Sequence, residues 1–171
     1  RHSILMQQHE YLFDSRVIVK SLTTSNKPKN ENMSAHQILH QILLPHGQCI
    51  EIVKGDIFQE TVDAIVNSEA NSQLLLGGTL FEKHCGDSLN ESCKNYVQKN
   101  GKVNESQCVV THAGDLSQRI KYVIHTLGVQ WSEKERAARM KQLADSVFHV
   151  LETAHMSKFQ TIAMSAFFTE N

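Results

Sequence analysis

The chain has 171 residues, 40% of them apolar, with 17 basic against 18 acidic side chains and a net charge of −1. A chain of ~150 residues buries about 70% of its unfolded surface, so this one builds a real core and reads as one domain with an appended tail. The near-neutral balance leaves no electrostatic footprint for duplex nucleic acid or an anionic membrane. No apolar run reaches the ~18–20 residues that span a bilayer. The first residues, RHSILMQQHEYLF, lack a signal-peptide shape and an initiator Met, which reads as a fragment or a processed start. Cys49, Cys85, Cys93 and Cys108 match no metal or redox spacing and read as reduced thiols of a nuclear or cytoplasmic protein. The N-x-S sequons at Asn90 and Asn104 matter only in a secreted chain and are discounted.

In chain order, residues 4–19 hold scattered apolar side chains without a sustained period. Residues 21–34, SLTTSNKPKNENMS, are polar, contain Pro28 and read as a linker. Residues 1–34 are therefore expected to form a flanking segment, and residues 35–171 the domain. Ser34 is expected to cap a short helix over 35–44, with Ile38, Leu39 and Ile42 on one face and Pro45-His46-Gly47 as its stop. Residues 48–54 alternate as a strand that ends at Gly55-Asp56. A short connection over 57–60 leads to a strand over 61–67, where Ala64-Ile65-Val66 form a buried run.

The spacing then predicts a helix over 81–98, ended by Asn100-Gly101. Strands are expected over 108–112 and 122–127. Residues 133–155 read as a long amphipathic helix with Met140, Leu143, Val147, Val150, Leu151 and Ala154 at helical spacing. A last strand is expected over 161–167. Strands alternating with helices imply an α/β fold whose largely parallel or mixed sheet is covered on both faces. The sequence stops directly after that strand, where a loop and helix normally follow, which reads as a truncated or altered C-terminus.

The segment TVDAIVNSEANSQLLLGG, residues 61–78, is the most informative. A buried strand whose C-terminal end opens into a polar, glycine-bearing loop suits a ligand mouth. Asp56, at another strand end, can accept a hydrogen bond from an exocyclic amine, or serve as a turn residue or helix cap. Asn67 and Asn71 can bond ribose hydroxyls or brace the loop. Gly77-Gly78 permits close backbone approach, and amides after such a loop suit a diphosphate. The HQILH run at His36–His40 has zinc-protease spacing but carries Gln37 where glutamate is required. His125, at a strand end, reads as a packed histidine. No metal ligand and no catalytic residue is assigned.

GDI (55–57), VDAIVN (62–67), AN (70–71), GG (77–78), THAGDL (111–116), KYVIHTLGVQW (121–131) and TIAMSAF (161–167) follow one another in order. Together they resemble the macrodomain, the ADP-ribose-binding module, in the form carried by certain poly(ADP-ribose) polymerase-like proteins. The resemblance covers residues 38–171 and implies a three-layer α/β/α fold with a mixed central sheet. It implies that Asp56 holds the adenine amine, that Ile57 lies against the base through its backbone and that Asn71 reaches the distal ribose. Gly77, Gly78 and Thr79 would form the first phosphate-side loop, and Ala166, Phe167, Phe168 and Thr169 would enter the second. Asn67 would stand beside them at the strand end.

The departures from the family pattern are specific. VNSEAN carries one residue more than the usual V-N-A-A-N, so Ala70 or Asn71 takes the ribose position. Thr79 replaces a glycine, and the helix that follows is about two residues short. Glu170 stands where the second loop has a glycine, and a carboxylate facing a diphosphate is repulsive by about 1 kcal/mol at short range in a wet site. The resemblance implies ADP-ribose as ligand rather than a cofactor, ADP-ribosylated proteins as partners, and nuclear or cytoplasmic location in ADP-ribosylation signalling, the DNA damage response or transcription regulation. Two alternatives stand beside the binding module: a mono-ADP-ribosyl-protein hydrolase, and a degenerate macrodomain acting as a protein-interaction surface. Macrodomain hydrolases commonly use an aspartate two residues after the glycine run. Here Thr79-Leu80-Phe81 follows, and Glu82 is the nearest acid.

Overall fold

The computed structural model describes the backbone of residues 15–21, and residues 37–105, 107–129 and 132–165. Its strands are β1 (Ser15–Ser21), β2 (Gln37–Leu43), β3 (Gln48–Lys54), β4 (Val62–Ala70), β5 (Val109–His112), β6 (Ile120–Leu127) and β7 (Thr161–Ser165). They form one sheet in the order β2-β3-β1-β7-β4-β6-β5. Two helices, α1 (Leu80–Asn100) and α2 (Arg136–Met156), complete the described elements with three short 3-10 turns.

β4 explains the layering. Ala64, Ile65 and Val66 are all fully buried. A strand with both faces covered must be apolar at successive positions, because its side chains alternate between faces. Ile65 joins Val109, Val123 and Ala163 on one face, against Cys85, Leu89 and Cys93 of α1. Ala64 and Val66 join Ile124 and Ile162 on the other, against Val150 and Ala154 of α2. Helix, sheet and helix form three layers, as the alternating pattern implies. β4 lies parallel to both neighbours, β6 and β7. Asp63 clasps its start to β7: Oδ2 accepts from the amides of Gln160 (2.7 Å) and Thr161 (3.0 Å), and Thr161 Oγ1 accepts from the Asp63 amide (2.9 Å).

Two N-terminal expectations are corrected. The stretch read as a short helix is strand β2, paired antiparallel with β3 and bulged between Ile38 and His40. Short apolar runs such as QILHQIL fit either period, and here the neighbouring strand supplies the hydrogen bonds. Pro45-His46-Gly47 is thus a hairpin turn, closed by Leu44 N–H to Gln48 O (2.8 Å) and Gly47 N–H to Leu44 O (3.0 Å). His40 of the HQILH run therefore sits on a strand, and His36 lies outside the described residues. The second correction is β1. It comes from the region read as aperiodic, yet it sits inside the sheet, antiparallel to β3 on one side and β7 on the other. Its signal was the β-branched run Val17-Ile18-Val19, too short to carry a period.

The remaining elements fall close to the predicted spans. β4 runs three residues further than expected, to Ala70. α2 buries a narrower stripe than its sequence suggests. Val150, Ala154 and Ser146 are buried, whereas Met140 and Leu151 lie exposed. The last strand is described to Ser165.

α1 is kinked. Gly86 has φ 71° and ψ −173°, which divides the helix into residues 80–85 and 87–100. The kink rests on the 3-10 turn Gly114–Leu116, and both contact points are glycines. A Cβ on Gly114, at φ +58°, would stand 2.0 Å from the Cys85 carbonyl oxygen, and one on Gly86 would meet the Asp115 carboxylate at 2.3 Å. Backbone meets backbone at Gly114, so nothing flexible can yield. Gly114→Ala is accordingly expected to destabilise the fold by about 2–4 kcal/mol, combining positive φ with overpacking. Gly101→Ala, at φ 81° and ψ −167° but with open space around it, should lose less, the backbone strain alone being about 1–3 kcal/mol. Urea unfolding of the two variants checks this, and equal losses would show that the close approach is unimportant.

Candidate functional site

β3, β7, β4 and β6 all run in one direction: β1 is antiparallel to both β3 and β7, and β4 is parallel to β7 and β6. Their C-terminal ends open on the same end of the sheet, where ligands bind in α/β folds. Gly55-Asp56 follows β3, the loop 71–79 follows β4, and Gly128-Val129 follows β6. From β3 to β4 there are three strand steps, a lateral offset of ~14 Å at the usual strand spacing.

Asp56 is the N-cap of the 3-10 turn Ile57–Gln59, with Oδ1 accepting from the Phe58 amide at 3.0 Å. The cap role is therefore real, and it engages Oδ1. Ile57 and Phe58 are buried beneath the turn. Phe58 stacks on His84 (ring centroids 4.2 Å) and meets Phe81 edge-on (5.2 Å), which ties the turn to the first part of α1.

Asn67 is buried, not exposed at the mouth. Its Nδ2 donates to Nδ1 of His125 at 3.2 Å, and His125 Nε2 lies 2.9 Å from Thr111 Oγ1 and 3.8 Å from Cys93 Sγ. An imidazole that accepts at Nδ1 carries its proton on Nε2, so Thr111 accepts from it. His125 is fully buried, and desolvation drives its pKa down to about 4. The ring is neutral and links β4, β5, β6 and α1. Burial likewise pushes the Cys85 thiol up to about 12, with the Asp115 carboxylate adding to it, and the Cys93 thiol up to about 11. Neither is a nucleophile at neutral pH.

The extra residue of VNSEAN is absorbed as a β-bulge. Asn67 pairs with His125 and Ala70 with Leu127, so three steps on β4 match two on β6. The bulge sends the two candidate residues to different surroundings. Ala70 is 5% exposed and belongs to the core, whereas Asn71 emerges into the loop. There Asn71 braces the chain. Oδ1 accepts from the amides of Gln73 (3.0 Å) and Leu75 (3.1 Å), and Nδ2 donates to Leu75 O (2.9 Å).

Gly77, Gly78 and Thr79 are exposed at the start of α1. Thr79 is the helix N-cap, its Oγ1 accepting from Glu82 N–H at 3.2 Å and donating to Leu76 O at 2.7 Å. Glu82 reaches back over the loop. Its Oε2 accepts from Gly78 N–H at 2.7 Å, and its Oε1 accepts from Asn90 Nδ2, across the kink, at 2.9 Å. The Gly78 hydrogen bond, then that from Asn90, holds this carboxyl below the usual carboxylate range. The pattern Thr79-x-x-Glu82 is a capping box displaced by one residue, and it was legible in the sequence. Its consequence for Gly78 was not. Ala166, Phe167, Phe168 and Thr169 lie outside the described residues.

The Macro domain family model matches residues 66–171. The chain is 40% identical over 126 residues to an uncharacterized protein of Thermotoga maritima, covering 72% of this chain and 20% of that protein. It is 35% identical over 125 residues to the O-acetyl-ADP-ribose deacetylase of Salmonella gallinarum, covering 70% of this chain and 66% of that enzyme. Among solved structures, an Oceanobacillus iheyensis macrodomain variant with ADPR superposes with a TM-score of 0.53 at 27% identity, over 61% of this chain and 57% of that one.

The His125 network predicts an acid-sensitive fold. The unfolded imidazole takes a proton below its ordinary pKa of 6.5, whereas the folded one takes it only below about 4. Between those values the unfolded chain binds more protons, so stability present above pH 6.5 is lost as pH falls towards 4, by about 3 kcal/mol in all. Urea melts at successive pH values should show this slope in the wild type. His125→Leu should be less stable at pH 7 and lack that component. Parallel pH curves for the two proteins would contradict the buried, neutral ring.

Proposed function

This chain belongs to the macro domain family, and on that premise we propose that it is a binding module for ADP-ribose and ADP-ribosylated proteins. The observation that carries the reading is the convergence of Asp56 and the loop 71–79 at the C-terminal ends of co-directional strands. The intervening β7 ends between them. An extended ligand with a purine at one end and a ribose at the other matches that layout. The Oceanobacillus relative solved with ADPR supports it.

In this reading Asp56 keeps the 3-10 turn capped through Oδ1 and accepts the adenine amine through Oδ2, with Ile57 backing the base. Asn71 shapes the ribose wall by holding its loop. Gly77, Gly78 and Thr79 form the first phosphate-side wall. Ala166 to Thr169 are assigned the second, following the resemblance of TIAMSAF to the family strand. Asn67 acts from beneath, as a brace to β6. We further assign the chain to a larger ADP-ribosylation-signalling protein of the poly(ADP-ribose) polymerase-like kind, in the nucleus or cytoplasm. The motif KYVIHTLGVQW supports this.

A second reading is hydrolysis of an ADP-ribose ester, favoured by the likeness to the Salmonella O-acetyl-ADP-ribose deacetylase. The nearest acid to the glycine pair, Glu82, has both oxygens engaged, which favours binding over turnover. Release of acetate from O-acetyl-ADP-ribose at a rate proportional to enzyme would establish the hydrolase instead.

Calorimetry with ADP-ribose should show saturable heat. Asp56→Asn preserves a good cap but exchanges a charged acceptor for an amide, so affinity should fall by about tenfold with little change in Tm. The binding reading is lost if wild-type protein gives neither heat nor a thermal shift at millimolar ADP-ribose.

A further inference from the structure

We propose that Glu82 is an internal competitor for the ligand's diphosphate, its carboxylate holding the Gly78 amide that a phosphate oxygen would otherwise take. The proposal rests on the ADP-ribose reading above and concerns how that same site is regulated. Three contacts define the arrangement. Glu82 Oε2 accepts from Gly78 N–H at 2.7 Å, Oε1 accepts from Asn90 Nδ2 at 2.9 Å, and the Glu82 amide is held by Thr79 Oγ1 at 3.2 Å. The backbone of Glu82 is therefore held at the helix start, and its carboxylate is held from the loop and from beyond the kink at Gly86.

A capping box ordinarily returns its glutamate to the N-cap amide. Here the Thr79 amide is taken by the Leu76 carbonyl at 2.9 Å, and the carboxylate moves one residue back, onto the glycine. The Gly78 amide donates a single hydrogen, so a phosphate oxygen and Glu82 cannot both hold it. Displacing Glu82 costs its hydrogen bond. Leaving it nearby sets a negative charge beside the diphosphate. A diphosphate must therefore either swing Glu82 outward on Asn90 or bind short of the loop. A ligand without phosphate meets neither obstacle.

Glu82→Gln removes the charge with little change of shape, and Glu82→Ala also frees the amide. Calorimetry with ADP-ribose and with adenosine on wild type and both variants separates the contributions. The expected result is ADP-ribose binding tightened by about fivefold or more in both variants, with Ala at least equal to Gln, and adenosine binding unchanged. Asn90→Ala, which loosens the far oxygen only, should tighten ADP-ribose binding by about twofold. Thermal melts confirm that each variant is folded. Unchanged or weaker ADP-ribose binding in both Glu82 variants, with measurable binding in the wild type, overturns the competitor role and leaves the binding module standing. Equal gains for adenosine and ADP-ribose overturn it too, since the diphosphate would then not be the beneficiary. Absence of ADP-ribose binding in every protein, the freed variants included, overturns both.

Discussion

The hydrogen bond between Asn67 and His125 is the point at which the apolar sheet gives way to the polar mouth. β4 reaches it as an unbroken buried run, and the first polar side chain after that run lies inside the protein. A buried amide without a partner costs about 1–3 kcal/mol. His125 supplies the partner from the adjoining strand, and Thr111 takes up the far side of the ring. With those bonds made, β4 can carry the bulge between Asn67 and Ala70 and still pair again at Leu127. The bulge buries Ala70 and delivers Asn71 to the loop, so the geometry of the mouth depends on a histidine beneath it.

The mouth is then built largely from groups that satisfy one another. Asp56 caps a turn, Asn71 braces its loop, Thr79 caps α1 and Glu82 holds Gly78. Each residue type suits a ligand, and each suits local backbone satisfaction as well, because both tasks require a short polar side chain near free amides. On the proposed binding reading, ligand uptake is an exchange of partners whose strength depends on which internal bonds a ligand can replace at equal or lower free energy.

Much of the fold was legible locally. β3, α1, β6 and α2 carry long or strongly patterned segments with clear punctuation, and their spans were read closely. The failures fell on short runs. QILHQIL and RVIVK are about seven residues or fewer, and their state was decided by β3 and β7, which donate and accept the ladder hydrogen bonds. Asp56, Asn71 and the glycine pair were singled out from residue type and order, and they follow strands that run in one direction. Their present hydrogen-bond partners, the capping box of Thr79 and Glu82 included, were not read from the sequence.

By itself the sequence determined the layered α/β class, the strand that must be buried on both faces, and the order of the loops around one mouth. Those follow from periodicity and from residue types whose conformational preferences act within a few residues. Only the tertiary structure decided that β1 lies inside the sheet, that Asn67 turns inward to His125, that Ala70 rather than Asn71 joins the core, and that Glu82 covers Gly78. The first three depend on partners brought near by strand register and packing across the sheet, which no local pattern encodes. The last is a contact four residues apart, directed to Gly78 because Leu76 already holds the Thr79 amide, with the far oxygen anchored by Asn90 across the kink.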